Sequence, residues 1–455
     1  MQRYEFIKSH SFVLRLVVYF IAFDIRFILA IFFQDGSVFY DTGLDIFVNH
    51  SILYANTILQ STFNYFPFAY LVTLPQIWLY YQLPIRSNVL LRIMFKLPII
   101  TADLVLASLF SDKVLQKVNS GNLPFLNNSD QSLGRFINNF ELFILFNPLN
   151  IYISGMTNQI DMFPAILLVL SWYAYKNNHY FFSGMAVMTA FLIKEYAIFL
   201  MIFLFIAIYR KSFHLSIKYI LGNLIIAIPT ILVVSLINFQ GFIQHAIIYQ
   251  LFRQPIGSSL SAFVFEIGKA VLPSSLDSFY QSLISFISFG IIFIFILVGS
   301  ISIFKDPTDK KIIFFSVLSF LTFCLFNKVF WPQYLVSLFA LWILNRIEYQ
   351  KTLSNEFISW TVAILPIFLL LRSGEFATQS LVYILGLDFF TNLLLITFAL
   401  HFILLISLWK MNKINIRHRK FVIAYCIIFT FIISQIFFQW YLIHLPSYTL
   451  QKMPH

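Results

Sequence analysis

The chain has 455 residues, of which 60% are hydrophobic and only 11% charged, whereas a soluble domain carries about 25% charge. That composition excludes a water-soluble globular protein, and stretches of about 17 to 25 apolar residues, each long enough for a bilayer core of about 30 Å, recur from end to end. The net charge of +11 does not imply nucleic acid, because the cations sit in short gaps between apolar stretches: Arg86 and Arg92; Arg210 and Lys211; Lys305, Lys310 and Lys311; Arg346 and Lys351; and Lys410, Lys413, Arg417, Arg419 and Lys420. If each apolar stretch crosses once, these gaps share one side, which is the positive-inside pattern.

The predicted fold is all-α, a polytopic transmembrane bundle of about thirteen helices. In chain order the crossings fall at 13–33, 63–82, 94–111, 138–156, 162–175, 180–209, 217–238, 280–303, 312–328, 332–345, 356–372, 382–409 and 421–444. The N-terminus is then cytoplasmic and the C-terminus outside. The first stretch carries Asp24 and Arg26, is too long for a signal-peptide core and lacks a small-residue cleavage site, so it reads as a retained helix. The whole of 1–455 reads as one integral-membrane domain, with 34–62, 112–137 and 239–279 as its main extracytoplasmic loops. Two glycosylation sequons, Asn49-His-Ser51 and Asn127-Asn-Ser129, lie in the first two of these. Glycine is scarce, 14 in 455 against about 7% in general. That weighs against a transporter built on Gly-interrupted helices. Cys324 and Cys426 each lie inside an apolar stretch and read as core residues, not as a disulfide or a metal pair.

Charged residues that interrupt this apolar background are where chemistry is to be sought. The first loop places Asp35, Asp41 and Asp45 close together in a chain with only 19 acidic side chains. A carboxylate at the membrane face can serve as the base that takes a hydroxyl proton during sugar transfer, while a phosphate leaving group needs little protonation. The same three residues could equally solvate a loop. Asp103 lies on an otherwise apolar helix, with Arg26 or Lys96 as structural partners as plausible as a substrate. Asp24 and Arg26 are two apart, on different helix faces, and are not expected to pair.

Asn147-Pro148 and Asn158-Gln159-Ile-Asp161 bracket a tight connection, where Asp161 is a natural helix N-cap. Lys194 and Glu195 interrupt the run 180–209, and neighbours cannot face one another on a helix, so each needs a partner of its own or a break. His245, Tyr249 and Arg253 follow at spacings of four, one helical face that would suit a lipid phosphate or an interfacial belt. Lys328, in the stretch Phe326 to Tyr334, stands on the outer face against the positive-inside bias, so a phosphate partner is attractive there.

These pieces, in order, resemble the GT-C integral-membrane glycosyltransferases, near the first-mannose GPI mannosyltransferases and the prokaryotic polyprenyl-phosphate-mannose-dependent enzymes. Tyr40-Asp41-Thr-Gly-Leu-Asp45-Ile-Phe47 is similar to their acidic first-loop motif, and Tyr54 with Asn64-Tyr65-Phe66-Pro67-Phe68 to the elements that follow it. Lys96-x-Pro98 with Asp103, Asn147-Pro148, Gln159-x-Asp161 and Lys194-Glu195 resemble further family elements. Phe326-Asn-Lys-Val-Phe-Trp-Pro-Gln333-Tyr334 is the best match. Asn158 stands where the family has Gly, Glu195-Tyr196 departs from its K-x-P, and the first loop lacks adjacent Asp-x-Asp. The choice of base is therefore open, with Asp45 favoured by spacing, then Asp41, then Asp35.

The resemblance implies transfer of a hexose, mannose first, from a polyprenyl or dolichyl phosphate to a glycolipid or glycan at the extracytoplasmic face, with inversion. The protein would sit in a prokaryotic plasma membrane or in the endoplasmic reticulum membrane. Arg253, Lys328 and His245 would hold the phosphate, and Gln333, Tyr334, Gln159, Asp161 and Lys194 would line the substrate site. No cofactor or metal is implied, although a divalent ion between Asp41 and a phosphate stays open. Two other readings stand beside this one: a transporter or flippase of a lipid-linked sugar, and a structural subunit.

Overall fold

The computed structural model describes residues 2–32, 46–47, 67–84, 87–111, 114–115, 137–156, 159–248, 256–257, 261, 264–265, 268, 273–327, 329–330 and 333–349. The chain divides into two compact units, 1–352 and 353–455; the second lies outside the described residues, as do the expected crossings at 356–372, 382–409 and 421–444 and Cys426.

The described residues of the first unit are almost all helical. Its elements are α1 (Gln2–Phe32), α2 (Pro67–Gln82), α3 (Asn88–Leu109), α4 (Asn139–Phe146), α5 (Pro148–Ile151), a π-helical turn (Tyr152–Met156), α6 (Met162–Lys176), α7 (Tyr180–Phe191), α8 (Ile198–Lys211), α9 (Phe213–Phe242), a π-helical turn (Ile243–Ile248), α10 (Asp277–Lys305), α11 (Asp309–Phe326) and α12 (Tyr334–Glu348). A two-residue parallel pair, β1 (Ile256–Gly257) with β2 (Val329–Phe330), is the only strand pairing among the described residues. Among the described residues two helices, α9 and α10, are long and apolar enough to cross a membrane. Their outward faces are strongly apolar, with Leu236, Phe286 and Phe293 exposed.

Local chemistry explains the breaks. Asn138 caps α4 by accepting from the Glu141 amide at 2.8 Å. Pro148 opens α5, the helical position at which a missing N–H costs nothing. Asn178, at φ 60°, makes the tight turn between α6 and α7.

The largest departure from the sequence expectation is at 180–209, which is two helices and not one crossing. At 1.5 Å per residue, α7 is about 18 Å long and α8 about 21 Å, each short of a bilayer core. The break at 192–197 turns the chain back. Lys211 lies 4.5 Å over the Tyr175 ring, and Arg210 4.7 Å over Phe304, so α8 ends where α6 ended. Lys176 bonds to Asp309 at 2.7 Å and to Glu348 at 3.2 Å. These contacts define one end of the first unit, the basal end, at which α6, α8, α10 and α12 finish and α7, α9 and α11 begin. Single crossings would have put 176–179 opposite 305–311 and 346–351, and the structure puts them together.

The same reasoning reorders the N-terminal helices. Arg26 bonds to Asp103 and Arg92 to the Ile31 carbonyl, so α1 and α3 run antiparallel. Alternating crossings at 13–33, 63–82 and 94–111 would have made them parallel. Asn138 donates to the Phe110 carbonyl and Tyr173 to that of Leu109, which brings the end of α3 beside the end of α6. The chain therefore leaves α1 and re-enters α3 at the far, apical end.

Close helix approach is made with small residues. A Cβ on Gly184 of α7 would overlap the Tyr219 carbonyl of α9, and one on Gly222 would overlap the Phe181 carbonyl. Ser171 of α6 and Ser183 of α7 bond across their interface at 3.1 Å.

Candidate functional site

Three chain segments that the sequence keeps far apart meet at the apical end. The first is the entry to α6. Asp161 stands at the N-cap position, yet its carboxylate caps nothing, which corrects the expectation that capping accounts for it. One oxygen, Oδ1, accepts from the Tyr196 hydroxyl at 3.0 Å. The other, Oδ2, faces Lys194 Nζ at 3.8 Å, with both side chains buried and no hydrogen-bond partner for that oxygen.

The second segment is the break between α7 and α8. Lys194 and Glu195 do mark a break, as expected, and Lys194 turns inward because the extended backbone there (φ −146°, ψ 129°) releases it from the helix. Tyr196 is buried. Its hydroxyl lies 3.0 Å from Ser337 Oγ as well as from Asp161, and its ring stacks on Phe320 with centroids 4.5 Å apart. The Phe68 amide, at the start of α2, donates to the Leu192 carbonyl at 3.1 Å. That bond fastens the segment after Asn64-Tyr65-Phe66 to the break.

The third segment leads into α12. Gln333 and Tyr334 are buried at its start, and the Lys194 ammonium lies 5.2 Å over the Tyr334 ring, a distance at which the ring face attracts a cation. Gln159 is half-buried just before α6, its amide oxygen without a hydrogen-bond partner. Of the expected substrate residues, Lys194 thus joins Asp161 and Tyr334, with Gln333 and Gln159 adjoining them in sequence.

The two strands add a further junction. Ile256 pairs with Val329 and Gly257 with Phe330. Arg253 precedes β1 by three residues and Lys328 immediately precedes β2, so the strand pair joins the two stretches named for phosphate binding. Arg253 and Lys328 themselves lie outside the described residues, as do Tyr249, Asp35, Asp41 and Asp45. Ile46 and Phe47, directly after Asp45, are half-buried, and the Phe47 ring lies 6.2 Å from that of Tyr81. His245 falls in a π-helical turn, Ile243–Ile248, and the rest of the spacing expected from it to Arg253 lies outside the described residues.

Asp103 and Lys96 belong to a separate buried junction. Arg26 Nε donates to Asp103 Oδ2 at 2.6 Å and to Ser154 Oγ at 3.0 Å. Lys96 donates to the Gly155 carbonyl at 3.1 Å. The structural partner foreseen for Asp103 is Arg26, and Asp24 takes no part. This junction fixes α1, α3 and the π-helical turn to one another just ahead of Gln159 and Asp161.

Sequence reasoning missed Tyr196 and Ser337. The only signal was a tyrosine directly after a buried Lys-Glu pair, and Ser337 is one small residue within an apolar run. Among the described residues no group of three or more His, Cys, Asp or Glu stands together as a metal site. Cys324 is free and buried. Chemically, the apical cluster offers a buried ammonium, a carboxylate with one uncapped oxygen, and amide and hydroxyl groups at its edge. That set suits an anionic group carrying hydroxyls. Compared with known proteins, the chain matches no protein-family model and no curated sequence.

Proposed function

We propose that this chain is a multi-pass, GT-C-like glycosyltransferase of a prokaryotic plasma membrane or the endoplasmic reticulum membrane. It moves a hexose, mannose first, from a polyprenyl or dolichyl phosphate to a hydroxyl of a glycolipid or glycan. The apical end is its extracytoplasmic or luminal face. Asp45, or failing it Asp41 or Asp35, takes the acceptor proton as the acceptor oxygen bonds to the sugar C1. The C1–O bond to phosphate breaks in the same displacement, its electron pair leaves with the phosphate, and the anomeric centre inverts. Arg253, Lys328 and Lys194 neutralise the phosphate.

The observation that supports this reading is the meeting of Asp161, Lys194 and Tyr334 at one end, beside the strand pair that joins the Arg253 and Lys328 stretches. Asp161, Lys194, Lys328 and Tyr334 belong to three separated stretches at which the sequence resembles the family.

The test is sugar transfer by the purified full chain in proteoliposomes, offered polyprenyl-phosphate-mannose or polyprenyl-phosphate-glucose with a glycolipid extract. Labelled product is expected, with at least about a hundredfold loss of turnover in Asp45→Asn or Asp41→Asn. Full activity in both of these variants and in Asp35→Asn would falsify the mechanism.

A second reading, a flippase for the lipid-linked sugar, is favoured by one feature: the α7–α8 break, a buried charge between two helices that each fall short of a bilayer core. Movement of the labelled lipid across the bilayer without any transfer product would select it.

A further inference from the structure

At the basal end the charges do not balance one another. Lys176 is occupied by Asp309 and Glu348, and Lys311 by Asp306 at 2.8 Å. Arg210, Lys211, Lys305 and Lys310 are exposed and have no carboxylate partner among the described residues. Three of the four instead keep aromatic or apolar company. Arg210 lies over Phe304, Lys211 over Tyr175, and Lys310 5.6 Å over Tyr349. The rim between them is apolar and outward-facing, with Tyr209, Phe213 and Phe304 exposed, and it continues directly into the apolar outer faces of α9 and α10. Cations held over rings at the edge of an apolar wall, with their stems along it, match the interface of a bilayer, where ammonium and guanidinium groups reach phosphate. Among its described residues the apical end has no such set of exposed cations: the charges there are the buried Lys194 with Asp161, Glu195, Asp277 and the half-buried Arg92, which bonds to the Ile31 carbonyl.

We propose that Arg210, Lys211, Lys305 and Lys310 form a binding surface for the headgroups of anionic phospholipids, and that this surface seats the basal end in an anionic leaflet. The proposal rests on the membrane part of the reading above and not on glycosyl transfer. Each cation near such a surface adds attraction that falls away within about 8 Å at physiological salt. Four together are expected to favour an anionic over a zwitterionic headgroup at least about tenfold.

The experiment reconstitutes the full chain in vesicles of phosphatidylcholine with about a third phosphatidylglycerol, extracts it with its bound lipid, and counts retained lipids by native mass spectrometry. Enrichment of phosphatidylglycerol is expected, lost in the combined R210Q/K211Q/K305Q/K310Q variant. R210K/K305R serves as a folding control that keeps the charge and the enrichment. Equal retention of both lipids by an inserted protein overturns the proposal alone. Release of the protein by alkaline carbonate overturns it together with the membrane reading. Displacement of phosphatidylglycerol by millimolar inorganic phosphate reassigns the surface to free anions and also overturns it.

Discussion

At the residue scale, the apical cluster turns on one hydroxyl. Tyr196 is held between Asp161 and Ser337, and it is the hydrogen bond that keeps the Asp161 carboxylate turned with its other oxygen toward Lys194. Tyr196→Phe removes that bond while leaving the stack on Phe320 in place, so Asp161 Oδ1 loses its donor in a buried setting. A loss of about 2 kcal/mol in stability is expected for a hydrogen bond to a buried charge, read as a lower Tm in detergent. Tyr196→Leu, which also removes the stack, should cost more. Equal Tm for Tyr196→Phe and the parent would mean that the hydroxyl positions nothing. The sequence made Asp161 and Lys194 conspicuous because charge is rare in this chain. It could not reveal that they face one another, since 33 residues and a helix reversal separate them, and it could not single out Tyr196 from 22 other tyrosines.

At the element scale, the α7–α8 hairpin is the feature that the periodicity of apolar residues cannot express. An unbroken apolar run from 180 to 209 has the composition of one long helix, and only the Lys194-Glu195 pair hints otherwise. The hairpin forms because a lysine on a buried helix face would lack a counter-charge, whereas an extended backbone at 194 lets it reach Asp161. Its first arm is then gripped by α9 through Gly184 and Gly222. Gly222→Leu is expected to force α7 and α9 apart, because the obstacle to the new side chain is main-chain carbonyl and not a movable side chain. The cost should be several-fold larger than for Gly290→Leu, where nothing lies within reach of a Cβ. Thermal unfolding of the two variants side by side checks this, and equal losses would mean the helices do not meet as closely as described.

At the scale of the whole molecule, three helices are closed at the basal end by Lys176, Asp309 and Glu348. Burial acts to lower the Lys176 ammonium, but Glu348 and Asp309 outweigh it and hold it above the ordinary lysine range. Burial raises the Glu348 carboxyl above its usual range, with Lys176 partly offsetting the rise. Because the folded state holds the Lys176 proton more tightly than the unfolded chain, this contribution is fully present below the ordinary lysine value of about 10.4 and is lost as pH climbs through the raised folded value. Alkaline unfolding should therefore be steeper in the parent than in Lys176→Met, whose stability is expected to be lower near neutrality and flatter above pH 10 or so. Parallel pH curves for the two proteins would show that the cluster does not hold the basal end.

The sequence by itself determined that the chain is apolar and helical: 60% of its residues are hydrophobic, and of the two arrangements that satisfy a backbone in a bilayer, the helix and the closed barrel, only the helix is built from apolar runs of about 20 residues. It also drew attention to the few charges that matter, since each ionisable group in such a chain needs a reason to be there. Which charges meet, and which loops share an end, was decided only by tertiary structure. A count of crossings carries the parity of every earlier segment forward, so one hairpin mistaken for a single helix reverses the side assigned to what precedes or follows it. Contacts depend on no such count: Lys176 with Asp309 joins segments that the crossings had put on opposite faces, and Arg26 with Asp103 decides which of the two cations foreseen for that carboxylate is its partner.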